Sequence, residues 1–346
     1  SYLVEPVDGL WLLAIDGGVY LPKEMKDGKW TYQGSSAGYN LVLKHKPFLL
    51  PWVRKVVEEA RKRHKTLVAF SHYPLVDFND GVSESVRRMW GDRRFDLHRV
   101  PEAEVSEAFL QAGLRLHFAG HMHVNDTGIW EGKDGKHLYN IQVPSIATYV
   151  PAYKILTIES DEAFRVETVT LDTVPGFDSL FPLYRAEYQS DSLRGHLPVW
   201  NKEILSARTY GEFCDYQFRD LVRLRFIPRD LPESWRACLD FTGARMLKAV
   251  SGEDKSEDAD WTGWCMKDLV LDVYRLRYAE RLALKDIPET RLAAYCYLFD
   301  RARISPLRSA EVGIVNGLGT LFLAFLNGEP CQNFVIDLEK DTITGD

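Results

Sequence analysis

Leu114-Arg115-Leu116-His117-Phe118-Ala119-Gly120-His121-Met122-His123 is an apolar run closed by two histidines two positions apart. The run predicts a buried strand. If the extended backbone continues past it, the strand period of two puts His121 and His123 on the same side of the chain. Gly120 is expected to let the backbone turn sharply beside whatever the imidazoles hold. Two neutral imidazoles converging at a strand end suit a divalent metal such as Zn, Fe, Ni or Mn. A second apolar run, Leu67-Val68-Ala69-Phe70, leads into Ser71-His72-Tyr73-Pro74-Leu75. Here too a histidine stands where a buried strand meets a loop, and Pro74 fixes the direction of that loop. Ligands in open α/β sheets gather at strand ends, so His72, His121 and His123 together predict a metal site.

Outward from these strands, the first half alternates strand and helix. Leu10 to Ile15 reads as a buried strand ending in Asp16-Gly17-Gly18, followed by a turn-rich excursion through Lys26-Asp27-Gly28-Lys29. Pro51 to Arg63 reads as an amphipathic helix, with proline in its first turn and basic residues at its end. A long polar loop is expected after His72, then a helix near Glu102 to Ala112. From Lys136 the texture changes to β runs at His137 to Val143, Ala152 to Glu159 and Ala163 to Leu171, which predict antiparallel hairpins. Beyond Thr173-Val174-Pro175-Gly176 the chain reads helical: Trp235 to Val250, Trp261 to Leu284, Glu289 to Arg303 and Leu307 to Leu326. The dense aromatics there are expected to pack between helices.

Composition narrows the function classes. At 346 residues, with 45% hydrophobic and 27% charged residues, the chain has room for two domains and a core of ordinary size. A net charge of -7 without a basic stripe argues against nucleic-acid binding. Arg87-Arg88 and Arg93-Arg94 would meet a phosphate only if their loop lay beside the histidines. The five cysteines follow no C-x-x-C pattern and are expected to be buried free thiols. The most apolar stretch, from Gly313 to Leu326, is shorter than the ~20 residues a membrane span needs. The sequence opens at Ser1 without methionine, so its compartment is unknown and any signal peptide is expected upstream.

The ordered pair of Ser71-His72-Tyr73-Pro74 and Gly120-His121-Met122-His123 resembles the fourth and fifth motifs of the calcineurin-like metallophosphoesterases. The resemblance covers about residues 1 to 172. It implies an α/β fold: residues 1–174 as the C-terminal part of an αββα sandwich, and residues 175–346 as a mainly helical C-terminal domain. It also implies two divalent metal ions and hydrolysis of phosphate mono- or diesters. Carried over residue by residue, His72 and His121 would ligate one metal and His123 the other. The first three motifs of that family (D-x-H, G-D-x-x-D and G-N-H-[DE]) are absent from the chain. Asp96-Leu97-His98 and Gly91-Asp92 only imitate them, downstream of His72 and in a polar loop. The expectation is therefore a partial site, inactive alone, whose missing ligands and proton donor lie in an N-terminal half with which this chain would associate. Asn125 and Asp126 are candidates for hydrogen bonds to an imidazole N–H. Asp77 is a candidate for contact with substrate or solvent.

Three other readings compete. Gly34-Ser35-Ser36-Ala37-Gly38 satisfies the G-x-S-x-G pattern of serine hydrolases, but lacks the buried strand that a nucleophile elbow needs before it. Metal-dependent amidohydrolases also use H-x-H, yet only His137 and His196 follow His123 here. A scaffold or binding module descended from a phosphoesterase would carry the same histidines without catalysis.

Overall fold

In the computed structural model, which describes residues 1–35, 37–195 and 200–345, the two histidine-ended runs form neighbouring parallel strands. The first eight strands are β1 (Tyr2–Val7), β2 (Leu10–Ile15), β3 (Pro22–Lys26), β4 (Lys29–Tyr32), β5 (Thr66–Ser71), β6 (Leu116–Ala119), β7 (Asp126–Glu131) and β8 (His137–Gln142). Strands β3 and β4 form a separate hairpin across the Asp27-Gly28 turn. The others make a six-stranded sheet in the order β1-β2-β5-β6-β8-β7. Its four inner strands are parallel, and β1 and β7 are antiparallel edges. Ile15 pairs with Ser71, Ser71 with Ala119 and Ala119 with Gln142. The next residues, Asp16, His72 and Gly120, therefore share one carboxyl edge.

Helices Leu49–Lys62 and Ala103–Gln111 cover one face of this sheet. The first buries Leu49, Val53, Val56, Val57 and Ala60, and Arg61 and Lys62 close its last turn, where cations complement the helix dipole. The other face carries Val68, Leu116, Tyr139 and Ile141. They share a core with Phe164, Val166, Phe334 and Ile336 of a second sheet. That sheet contains β9 (Ala152–Ile158), β10 (Ala163–Thr170), β11 (Asn333–Asp337) and β12 (Thr342–Gly345), in the order β12-β11-β10-β9.

The structure departs from the sequence expectations in several places. The β runs after Lys136 do not form one set of hairpins. β9 and β10 do pair, but β8 pairs with β6 and β7 in the first sheet. The last two strands come from the far end of the chain, so the second sheet draws on both sides of residue 174. The loop expected after His72 contains helix Ser83–Trp90, anchored by Val86 and Trp90. The Trp235 to Val250 segment is broken into Glu233–Arg236 and Gly243–Ser251, because Thr242 caps the second helix and bridges to Cys265. The Trp261 to Leu284 segment divides into Ala259–Thr262, Met266–Ala279 and a 3₁₀ stretch at Glu280–Asp286, the long helix stopping where Glu280 takes a positive φ (45°). Helices Glu289–Ile304 and Ala310–Leu326 complete this half.

The helical half packs onto the carboxyl edge of the first sheet. Phe78, Val82, Val86, Trp90, Phe95, Met122, Val124 and Tyr149 share one core with Phe218, Met246, Leu269, Tyr274 and Phe322. Of the five free cysteines, Cys214, Cys238 and Cys331 are buried, Cys265 is half-buried and Cys296 is exposed. No helix among the described residues is long and apolar enough to cross a membrane.

Candidate functional site

His72 follows β5 directly, and His121 stands two residues past the end of β6. The backbone that carries His121 and His123 is not extended. Both residues adopt left-handed φ values, 60° and 58°, which non-glycine residues take up only a few per cent of the time. The period-two argument for a shared side therefore fails beyond Ala119. Gly120 is not in the left-handed region, so the sharp turn belongs to the histidines and not to the glycine. Met122, between them, is buried in the core shared with the helical half and pins the turn. Gly120 N–H donates to the His72 carbonyl at 3.2 Å, which ties the two strand ends together.

This arrangement brings His121 Nδ1 to 2.8 Å from His72 Nε2. Two nitrogens at right angles on one octahedral ion, with bonds of about 2.1 Å, lie about 3.0 Å apart, against about 3.4 Å on a tetrahedral one. The pair therefore comes near the spacing of a shared octahedral divalent metal. Without an ion, one ring donates its N–H to the other. Burial, then the charges of Arg99, His72 and His123, holds His121 down to about 4, so the ring is neutral and can ligate at neutral pH. Its Nε2 is buried without a hydrogen-bond partner. His123 is exposed and is likewise held below its ordinary value, by burial of the ring and by His72. Tyr73 packs against both His72 and His121, with ring centroids 4.9 and 4.6 Å away, and its hydroxyl donates to Ser35 Oγ at 3.1 Å.

Arg99 is a cation that the sequence reading missed. It acts on the His121 charge, lies 3.6 Å from Asp96, and leaves its buried Nε without a partner. Asp96 is buried and held below the usual carboxylate range, against the pull of burial, by Arg277, Arg229 and Arg99. Arg87, Arg88 and Arg94 of the basic cluster bond elsewhere, Arg88 to Ser85 Oγ at 3.3 Å. Arg87 pairs with Glu84 and Asp92, and Arg94 donates to the Asp230 carbonyl at 3.0 Å.

His117 is a structural histidine. It is fully buried, with Nδ1 2.8 Å from Asn140 Oδ1 and Nε2 3.0 Å from Ser71 Oγ. Asn140 Oδ1 also accepts the Leu75 N–H, so the neutral ring donates from Nδ1. The ring thus bolts β6 to both β5 and β8.

The remaining candidates lie away from the imidazoles. Asp77 Oδ1 accepts from Asn79 N–H at 3.0 Å and from the Ser83 hydroxyl at 2.8 Å, which shapes the turn into helix Ser83–Trp90. Asn125 accepts from Lys154 Nζ at 2.7 Å and donates to Cys331 Sγ at 3.3 Å. Asp126 joins Asp80 and Glu280, with oxygens of all three within 4.8 Å of one another. Among the described residues this is the one group of three or more potential ligands close enough to hold a metal ion, and no carboxylate joins the histidine pair. Burial and the neighbouring carboxylates push Asp80 up to about 9 and Asp126 up to about 7, and Glu280 rises as well. Of the competing readings, Ser36 and His196 lie outside the described residues. His137 is 3.2 Å from Asp341, far along the sheet from the pair. Tyr149 is buried with its hydroxyl on Asp286 at 2.7 Å, while Tyr153 is exposed.

Sequence reasoning missed Arg99 and Glu280. A turn-borne arginine has no local pattern, and Glu280 reaches the sheet only through the packing of a helix that begins about 140 residues after His123. No protein-family model matches the chain, and no curated protein matches it.

Proposed function

We propose that this chain carries the histidine part of a calcineurin-like metallophosphoesterase site, in the αββα type of sandwich, acting on a phosphate mono- or diester. The observation that supports this reading most is the His72–His121 pair, 2.8 Å apart at the carboxyl ends of adjacent parallel strands. Arg99, whose charge acts on His121, supplies a guanidinium of the kind that binds phosphate oxygens. Two divalent ions in such a site lower the pKa of a bridging water and hold phosphate oxygens in line for displacement. His72 and His121 would hold one of them and His123 would reach the other, each imidazole binding in its neutral form.

By itself the pair is a neutral, partial site, since no carboxylate joins it among the described residues. The reading therefore predicts weak metal binding and negligible hydrolysis until a segment bearing the D-x-H, G-D-x-x-D and G-N-H-[DE] motifs completes the ligands. Adding such a segment in trans and following p-nitrophenyl phosphate turnover tests it. Turnover that appears with the segment and vanishes in His121→Ala supports the proposal, and turnover indifferent to His121 refutes it. That no carboxylate among the described residues is close enough to share an ion with the pair, although Asp96 acts on the His121 charge, also favours a second reading, a binding module that keeps the phosphoesterase scaffold without its chemistry. Intact opening motifs in the completing segment would exclude it.

A further inference from the structure

We propose that Asp80, Asp126 and Glu280 form a binding site for one hard divalent cation, Ca²⁺ or Mg²⁺, at the junction of the first sheet and the helical half. The three residues come from distant parts of the chain. Asp80 lies in the loop after β5, Asp126 opens β7, and Glu280 follows helix Met266–Ala279. Their oxygens lie within 4.8 Å of one another. One ion with oxygen bonds of about 2.0–2.6 Å can touch all three.

Burial makes this more than an acidic patch. Asp126 and Glu280 are 2% and 3% exposed, and Asp126 Oδ2 and Glu280 Oε1 have no partner beyond the contacts these two carboxyls make with each other and with the Cys331 thiol. Buried polar atoms are bonded in roughly nine cases of ten, and an unbonded carboxylate oxygen away from water is among the costliest exceptions. Lys154 feels the charge of Asp126 and Glu280 but makes no hydrogen bond to either. Lys154 Nζ donates to Asn125 Oδ1 at 2.7 Å, Thr168 Oγ1 at 2.9 Å and the Cys331 carbonyl at 2.6 Å, all neutral acceptors.

An independent observation comes from β8. Gln142 is fully buried, yet both its Oε1 and its Nε2 are unpartnered. The β7–β8 register sets Gln142 directly opposite Asp126, so both side chains leave the same face of the sheet as near neighbours. An amide oxygen beside carboxylates is the mixed, all-oxygen donor set that hard cations take, with water in the remaining positions. One ion would answer the carboxylate oxygens and Gln142 Oε1; Gln142 Nε2, a donor, is left to a carboxylate oxygen or water. The ion also joins the two halves of the chain, because Glu280 belongs to one and Asp80, Asp126 and Gln142 to the other. None of these residues is a histidine, so the site stands or falls separately from the proposed phosphoesterase centre.

The test is isothermal titration of CaCl₂ and MgCl₂ into the full chain after EDTA treatment and desalting. Saturable uptake of one ion per chain is expected for the wild type and, unchanged, for His72→Ala/His121→Ala. In Asp126→Asn and Glu280→Gln the affinity should fall about tenfold or more. Circular dichroism checks that each variant is folded, and Asp80→Asn, at the more exposed member, serves if the buried variants fail to fold. The proposal is overturned if the folded wild type shows no saturable uptake. It is equally overturned if uptake survives unchanged in a folded carboxylate variant, or disappears with the histidines.

Discussion

Acidification should weaken the fold through His117, by an amount its burial sets. The ring is fully enclosed between Ser71 and Asn140, and burial lowers it from 6.5 to about 4, with the Asn140 bond opposing part of that shift. A histidine whose folded value is depressed binds fewer protons folded than unfolded. Its contribution is therefore fully present above pH 6.5 and is lost as pH falls through 4. The whole shift corresponds to about 3 kcal/mol, of which about 2 kcal/mol is gone by pH 5. Urea midpoints at pH 7 and pH 5, for the wild type and for His117→Gln, isolate this group from every other that titrates in the window. Glutamine can still donate to Asn140 but cannot charge. The variant should be somewhat less stable at pH 7 and should lose about 2 kcal/mol less than the wild type on going to pH 5. Equal losses in both proteins would refute the reasoning and place the acid sensitivity elsewhere.

Arg277 is 2% exposed and donates to the Phe95 carbonyl at 2.9 Å and to Asn79 Oδ1 at 3.3 Å. Arg277→Met should cost about 3 kcal/mol in denaturant unfolding, the low end for a broken buried ion pair, because Arg229 and Arg99 still face Asp96. A side chain at Gly128 would meet the Asp77 carbonyl oxygen at 2.6 Å, a backbone atom that cannot step aside. Gly128→Ala is accordingly expected to lower the thermal midpoint, by overpacking of about 1–3 kcal/mol. Ending the chain at residue 174 would strip β11 and β12 from the second sheet and expose Phe78, Val86, Phe95 and Met122. Such a chain should show no cooperative unfolding transition, and a sharp one would mean that the first half folds independently.

How far the sequence reveals this protein depends on how local each feature is. Strands β5 and β6 and helix Leu49–Lys62 were legible because apolar periodicity reports burial over a few neighbouring residues. The edge where His72 and His121 meet was legible for the same reason, since both follow buried parallel strands. Strands β11 and β12 were not, because a five-residue strand acquires its meaning only by pairing Asn333 with Glu167, far away in the chain. The expected hairpins between Lys136 and Leu171 failed on partner choice, as β8 has strand texture whichever sheet it joins. His121 and His123 show the limit within the site itself. Their spacing suggested a shared strand face, but the chain leaves the strand at Ala119 and puts both into left-handed turns. Asp80, Asp126 and Glu280 meet only in three dimensions, and nothing in the sequence around any one of them announces the other two.

The proposed function rests on His72 and His121 as the histidine part of a phosphoesterase metal site that no carboxylate among the described residues completes. Metal content and p-nitrophenyl phosphate hydrolysis, measured on one sample equilibrated with Mn²⁺ or Zn²⁺ and then desalted, test it most directly. With Asp126→Asn as the background, the account predicts no tightly retained metal, and turnover no higher than that of the same protein also carrying His121→Ala. Two tightly retained metal ions per chain, with hydrolysis that His121→Ala abolishes, would contradict it.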